Sequence, residues 1–157
     1  MSASIRQRLL NLGNNTKQDF GLILTKYALE RLLYRLGASR HRNTFVLKGA
    51  LLFEMWTSQQ YRPTRDLDLL GYGDSSADRH RGIFAEICDQ EVEPDGLVFL
   101  SDTIRMDRIK DDEEYEGIRV LLEARLGNAR IPVRIDIGFG DIVTLAGKSE
   151  PKAPMPC

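Results

Sequence analysis

The first forty residues have apolar positions at the three- and four-residue intervals of a helix. The pattern predicts an amphipathic helix over about 16–40, with Thr16 as a candidate cap and Gly37 as a candidate stop. The apolar positions of this helix are Phe20, Ile23, Leu24, Tyr27, Leu29, Leu32, Leu33 and Leu36. Its basic residues could hold RNA, but we favour a solvated face for them: Lys26, Arg31, Arg35, Arg40 and Arg42.

A strand, a turn and a helix are predicted next. The apolar run at 45–47 indicates a short strand, and the small residues at 48–50 indicate a tight turn. Residues 51–56 have helical character, and Pro63 ends any helix in the loop that follows. These elements place a glycine at a strand-to-helix turn.

The second predicted strand is the leucine-rich run "RDLDLLG" at 65–71. A helix is expected over 75–90, capped by either Ser75 or Ser76. The core-facing residues of that helix are Ile83, Phe84 and Ile87.

The remaining elements are predicted to be strands. One is "GLVFL" at 96–100, and a second lies within 101–115 before an acidic turn at 111–114. Residues 116–141 form two apolar runs joined by "GNAR", a pattern typical of a hairpin. The order of elements predicts an α+β fold, with a mixed sheet, flanking helices and N-terminal helices over about 1–40.

The length of 157 residues is that of one domain. We expect this domain to cover 1–145, because the tail at 146–157 is proline-rich, lacks apolar periodicity and is predicted to be disordered. The 22 basic and 23 acidic residues nearly cancel, so overall charge gives no support to nucleic-acid or membrane binding. No run of eighteen apolar residues and no signal peptide are present, so a cytoplasmic protein without a membrane partner is expected.

The two cysteines, Cys88 and Cys157, lack the spacing of a metal or redox motif. Both are interpreted as reduced thiols in a cytosolic protein, with Cys88 as a small core residue.

Two aspartates interrupt the second strand. Asp66 and Asp68 are two residues apart, so their side chains point to one face, while Leu67 and Leu69 point to the other. Two carboxylates about 4 Å apart repel by roughly 4 kcal/mol at an effective dielectric constant near 20. A divalent cation removes this penalty, and Mg²⁺ is commonly held by one or two carboxylates together with substrate phosphates.

A third aspartate, Asp136, lies inside the last apolar strand between two isoleucines. If that strand neighbours the Asp66 strand, three carboxylates share a face, as two-metal phosphoryl-transfer sites require. The turn at Gly49 would let the backbone approach a phosphate, with Lys48 and Arg65 nearby.

Each of these signals also has a simpler interpretation. The Asp-x-Asp pattern occurs on exposed strands, a lone glycine is often only a turn, and Asp136 alone could pair with Arg134 or Arg119. The ordered combination of all three signals is more specific than any one of them.

The segments "FVLKGALLFEMW", "RPTRDLDLLG" and "VRIDIGFGD" resemble the AbiEii/AbiGii family of nucleotidyltransferase toxins, over residues 20–145. The resemblance implies the mixed sheet of the DNA polymerase β-like superfamily and a toxin of bacterial toxin–antitoxin or abortive-infection systems. It also implies binding of a nucleoside triphosphate (NTP) with Mg²⁺. Some members of this family transfer nucleotides to the 3′ end of tRNA.

The resemblance assigns roles to individual residues. Metal binding and catalysis fall to three carboxylates: Asp66, Asp68 and Asp136. Nucleotide binding falls to five residues: Lys48, Gly49, Thr64, Arg65 and Arg134. Two departures from the family pattern stand out. Ala50 and Leu51 replace the small and hydroxyl residues usual after the glycine, and the C-terminal helical half of the family is absent from this sequence.

Three hypotheses follow. The first is a truncated nucleotidyltransferase toxin that uses two Mg²⁺ ions and an NTP to modify an RNA or protein acceptor. The second is an inactive remnant that binds a nucleotide or an antitoxin partner without chemistry. The third is an α+β scaffold with incidental acidic residues.

Overall fold

The computed structural model describes residues 2–16, 19–48, 66–109 and 117–139. These residues form three helices and five strands. The elements are α1 (Ser2–Thr16), α2 (Phe20–Ala38), β1 (Phe45–Lys48), β2 (Leu67–Gly71), α3 (Ala77–Cys88), β3 (Leu97–Ile109), β4 (Gly117–Leu126) and β5 (Ala129–Gly138). The predicted α+β class with N-terminal helices is confirmed.

The five strands form one mixed sheet in the order β1-β2-β5-β4-β3. The β2–β5 contact is parallel and the other three strand contacts are antiparallel. The pairing of β4 with β5 confirms the predicted hairpin, whose turn contains Gly127 at a positive φ of 61°. Glycine adopts this conformation without steric cost, which suits a tight connection.

The core lies on one face of the sheet. In β5, alternate residues from Ile131 to Ile137 are at most 2% exposed, because successive side chains of a strand point to opposite faces. Helices α2 and α3 contribute Leu29, Leu32 and Phe84 to the same core, and Cys88 is buried as predicted. The other face of the sheet therefore carries the polar positions of the strands, and this surface is called the open face below.

Helix α2 begins and ends slightly differently from the prediction. Asp19, and not Thr16, caps it, because its carboxylate accepts a hydrogen bond from the Leu22 amide at 3.1 Å. Thr16 ends α1. The predicted stop at Gly37 is wrong by one residue, since the helix continues to Ala38. A glycine inside a helix costs only about 1 kcal/mol, so flanking helical residues can override it.

The solvated basic face predicted for α2 is wrong at Arg35. This side chain is 6% exposed and donates to both carboxylate oxygens of Asp95, at 2.8 and 3.0 Å. Arg31 adds a bond of 2.7 Å to the same carboxylate, and Tyr27 donates to the Asp95 carbonyl. The charge on Asp95, at 7% exposure, is therefore fully compensated, and it joins α2 to the start of β3.

Strand β3 is one continuous element where two separate strands were predicted. Its pairing with β4 shifts register between Leu100 and Arg105. Thr103 bridges the irregularity, because its hydroxyl donates to the Leu100 carbonyl at 2.6 Å and accepts from the Glu123 amide at 2.9 Å. A β-bulge of this kind preserves a strand through a local break in pairing.

Several predicted features lie outside the described residues. These are the turn positions 49 and 50, the helix at 51–56, the loop with Pro63, the acidic turn at 111–114 and the tail at 146–157.

The cap of α3 is Ser76, which resolves the choice between the two serines. Its hydroxyl accepts from the Arg79 amide at 3.2 Å. We expect Ser76→Ala to lower the free energy of unfolding by about 1 kcal/mol, because the amide loses its partner. Ser75→Ala is the matched control and should change it by only a few tenths of that amount. Urea denaturation of both variants tests this, and equal destabilisation would contradict the assignment of the cap.

Candidate metal and nucleotide site

The parallel pairing of β2 with β5 brings the predicted carboxylates together. Asp68 is the cross-strand partner of Asp136, and Asp66 directly precedes β2. The strands that carry these aspartates are therefore neighbours, as the sequence required for a shared site. Their alternation with buried leucines and isoleucines places all three side chains on the open face.

The same register extends across the sheet. Lys48 in β1 is the partner of Asp68, and Arg119 in β4 is the partner of Asp136. In β3, Asp107 is the partner of Arg119. The five residues form one row across five strands, with both signs of charge. A row of charged residues in this register is the clearest polar feature of the described sheet.

Two of the three carboxylates bind arginines at both oxygens. Arg134 donates to Asp66 through Nε at 2.9 Å and through Nη2 at 2.5 Å. Arg119 donates to Asp136 through Nε at 2.9 Å and through Nη2 at 3.4 Å. Of the two alternatives for Asp136, the structure thus has Arg119 as the partner. All four side chains keep between 25% and 42% of their surface exposed.

Arg119 and Arg134 partly neutralise the cluster that they form with Asp66, Asp68 and Asp136. The hydrogen bond from Asp136 raises the pKa of Arg119, and the hydrogen bond from Asp66 raises the pKa of Arg134. Both guanidinium groups are thus always protonated. The two guanidinium groups therefore offset much of the repulsion among the three carboxylates.

The donor chemistry of the cluster fits Mg²⁺, because carboxylate oxygens are the ligands that hard divalent cations prefer. Within the described ranges, however, no group of three histidine, cysteine or acidic residues is arranged to hold a metal ion. In this arrangement the oxygens of Asp66 and Asp136 accept hydrogen bonds from arginines. The chemistry of these carboxylates fits the metal, but their arrangement does not hold one, and the arginines would have to yield those oxygens to it.

Other predicted site residues are placed as follows. Arg134, assigned to the nucleotide, contacts Asp66. Gly49, Thr64 and Arg65 lie outside the described residues. The sequence motifs assign no site role to Arg119. The tight hairpin turn sets the register that makes it the partner of Asp136.

The family model for the nucleotidyl transferase AbiEii toxin of type IV toxin–antitoxin systems matches residues 31–155. The chain belongs to this family. The AbiEii match includes β1, β2 and β5, the strands that carry Lys48 and the three aspartates. No curated protein shows significant similarity to this AbiEii chain.

Two solved structures from Helicobacter pylori are similar to the AbiEii chain. One, from a candidate nucleotidyltransferase, has a TM-score of 0.46 and 16% identity, over 75% of this chain and 45% of that chain. The other, JHP933, has a TM-score of 0.44 and 17% identity, over 75% of this chain and 44% of that chain. The AbiEii chain thus spans less than half the length of either protein.

Three helices, α1, α2 and α3, are described in this chain. None of them is both long and apolar enough to cross a bilayer.

Proposed function

We propose that this AbiEii chain is a Mg²⁺-dependent nucleotidyltransferase that transfers a nucleotide from an NTP to an RNA 3′ end, such as that of tRNA, or to a protein. It would act as a toxin in the cytoplasm, with a cognate antitoxin. The observation that carries the proposal is the pairing of Asp68 with Asp136 beside Asp66 on one sheet face. The third hypothesis, of incidental acidic residues, does not explain why these carboxylates lie on one face of two neighbouring strands.

The transfer is a single displacement at the α-phosphorus. The acceptor hydroxyl oxygen forms the new bond, the bond to the β-phosphate breaks, and pyrophosphate leaves. Asp136 would accept the hydroxyl proton and share one metal ion with Asp66 and Asp68. Two bound Mg²⁺ ions would neutralise the phosphates and favour the ionised form of the hydroxyl.

Binding of the triphosphate falls to the basic residues and the backbone around the carboxylates. Arg134 is fixed on β5 beside Asp66, and a guanidinium group suits phosphate oxygens because of its planar donors. Lys48 is the strand partner of Asp68. Gly49, Thr64 and Arg65 complete the proposed nucleotide site.

A second candidate function is binding of a nucleotide or a partner protein without transfer. The two arginine pairs favour it, since they use two of the three proposed metal ligands. Turnover separates the two functions, whereas binding of metal and nucleotide is common to both.

Calorimetry tests the binding step. Mg²⁺ or Mn²⁺ is titrated with and without each NTP into the wild type and the Asp66→Asn/Asp68→Asn variant. We expect heat that requires both metal and nucleotide, and its loss in the variant, because two ligands lose their charge.

The matched control is Asp102→Asn/Asp107→Asn, which removes two exposed carboxylates from β3. It should bind as the wild type does. Equal heats for the wild type and the Asp66/Asp68 variant would contradict the proposed site.

A further inference from the structure

Arg119 contacts a carboxylate that the proposed function assigns to a metal ion. It is bonded to both oxygens of Asp136, Nε to Oδ1 at 2.9 Å and Nη2 to Oδ2 at 3.4 Å. A divalent cation needs the same oxygens. The guanidinium group and the metal ion therefore compete for Asp136.

The position of Arg119 makes this competition reversible. Its backbone is fixed as the β4 partner of Asp136, so the folded hairpin keeps the guanidinium group within reach of the carboxylate. The side chains of Arg119 and Asp136 are 33% and 25% exposed, respectively. Ion pairs with this much solvent contact contribute little to stability, so breaking the contact costs little. Arginine is also a good ligand for phosphate.

We propose that Arg119 is a positioning residue, which holds Asp136 in the free protein and excludes a metal ion that arrives without a nucleotide. When metal and triphosphate bind together, Arg119 leaves Asp136 and contacts a phosphate. This inference rests on the proposed function, because it takes Asp136 to be a metal ligand. Competition from Arg119 would explain why the three carboxylates bind a metal ion weakly until the nucleotide is present.

The test is a titration of the full chain with Mn²⁺ in the absence of nucleotide. Electron paramagnetic resonance measures the bound Mn²⁺ at each step. Arg119→Gln removes one positive charge next to the site. We expect it to bind Mn²⁺ more tightly by on the order of tenfold, from the Coulomb energy of one charge beside a divalent ion. Arg119→Lys keeps the charge, so its Mn²⁺ affinity should stay near that of the wild type.

A second titration uses Mn²⁺ with a non-hydrolysable NTP. There Arg119→Gln should bind the nucleotide more weakly than the wild type, because the phosphate loses a ligand. A purely structural role for Arg119 would change the melting temperature and would not tighten metal binding. Circular dichroism establishes that each variant is folded.

The matched control is Arg125→Gln, on the same strand and face. Its guanidinium group pairs with Glu123 at 3.0 Å and not with an aspartate of the cluster. This variant should bind Mn²⁺ as the wild type does.

Asp68→Asn separates failure of this inference from failure of the proposed function. If Asp68→Asn abolishes Mn²⁺ binding in the presence of the non-hydrolysable NTP, but Arg119→Gln without nucleotide binds no more tightly than the wild type, the role of Arg119 is overturned and the metal site stands. If Asp68→Asn binds Mn²⁺ as the wild type does when the non-hydrolysable NTP is present, both are overturned.

Discussion

We expect Asp68→Asn to lower the rate of nucleotide transfer by about a thousandfold or more. This carboxylate is two residues from Asp66 and is the cross-strand partner of Asp136, and in the proposed site it would bind the metal ions that neutralise the phosphates. Loss of one charged group at a phosphoryl-transfer centre removes several kcal/mol of transition-state stabilisation. The measurement is incorporation of label from each α-³²P NTP into total tRNA.

Asp107→Asn is the matched control for this prediction. Asp107 lies in the same row of the sheet, but β4 and β5 separate it from Asp68. Its replacement should leave transfer within about twofold of the wild type, since it is exposed and distant from the proposed ligands. Full activity of Asp68→Asn would contradict the proposed mechanism, and equal loss in both variants would point to a general effect of surface charge.

Asp95→Ala should cause the largest loss of stability among the described ion pairs. It would leave Arg35, which is 6% exposed, without a counter-charge, and Arg31 would lose the same partner. Removing one member of a buried ion pair costs about 3–5 kcal/mol. Urea denaturation monitored by circular dichroism measures this loss as a lower midpoint.

The control for Asp95→Ala is Glu86→Ala. Glu86 also pairs with two basic groups, Arg40 and His41, but it is 49% exposed and Arg40 is 76% exposed. Exposed pairs contribute little, so this variant should lose at most about 1 kcal/mol. Similar losses in the two variants would contradict the importance of burial at Asp95.

The Asp95 pair also predicts how stability depends on pH. Burial raises the pKa of Asp95, but the hydrogen bonds from Arg35 and Arg31 outweigh it and lower the pKa to about 2. The pKa of an unfolded aspartate is about 3.9. The contribution of Asp95 is therefore fully present above about pH 4 and is lost as the pH falls towards 2. Asp95→Ala should flatten this part of the stability curve relative to the wild type.

Local pattern was sufficient to predict much of the fold. The alternation of isoleucines in β5 and the Gly-Asn turn define the hairpin. Its register makes Arg119 the partner of Asp136, a choice between Arg119 and Arg134 that was left open by the pattern alone. A serine cap and the core positions of α3 follow from helical spacing and capping chemistry, and the structure decides between Ser75 and Ser76. These features depend on residues that are close in sequence.

Long-range ion pairs were not predictable in the same way. Arg35 and Asp95 are 60 residues apart, so nothing near Arg35 distinguished it from an exposed helix residue. The pairing of Asp66 with Arg134, 68 residues apart, depends on β2 lying beside β5. From the sequence, a shared site required these two strands to be neighbours. Only the assembled sheet shows that they are.

The parallel contact between β2 and β5 also has a consequence for the order of assembly. Asp66 and Asp68 are synthesised well before Asp136, and β2 meets its parallel partner only after β3, β4 and β5 have been made. Contacts over such a span form late, because closing a long loop costs entropy before the contact can repay it. During synthesis, a ribosome-bound chain that ends before β5 carries two of the three carboxylates and no complete cluster. Under the proposed function, nucleotide transfer would therefore begin only after the whole sheet has closed.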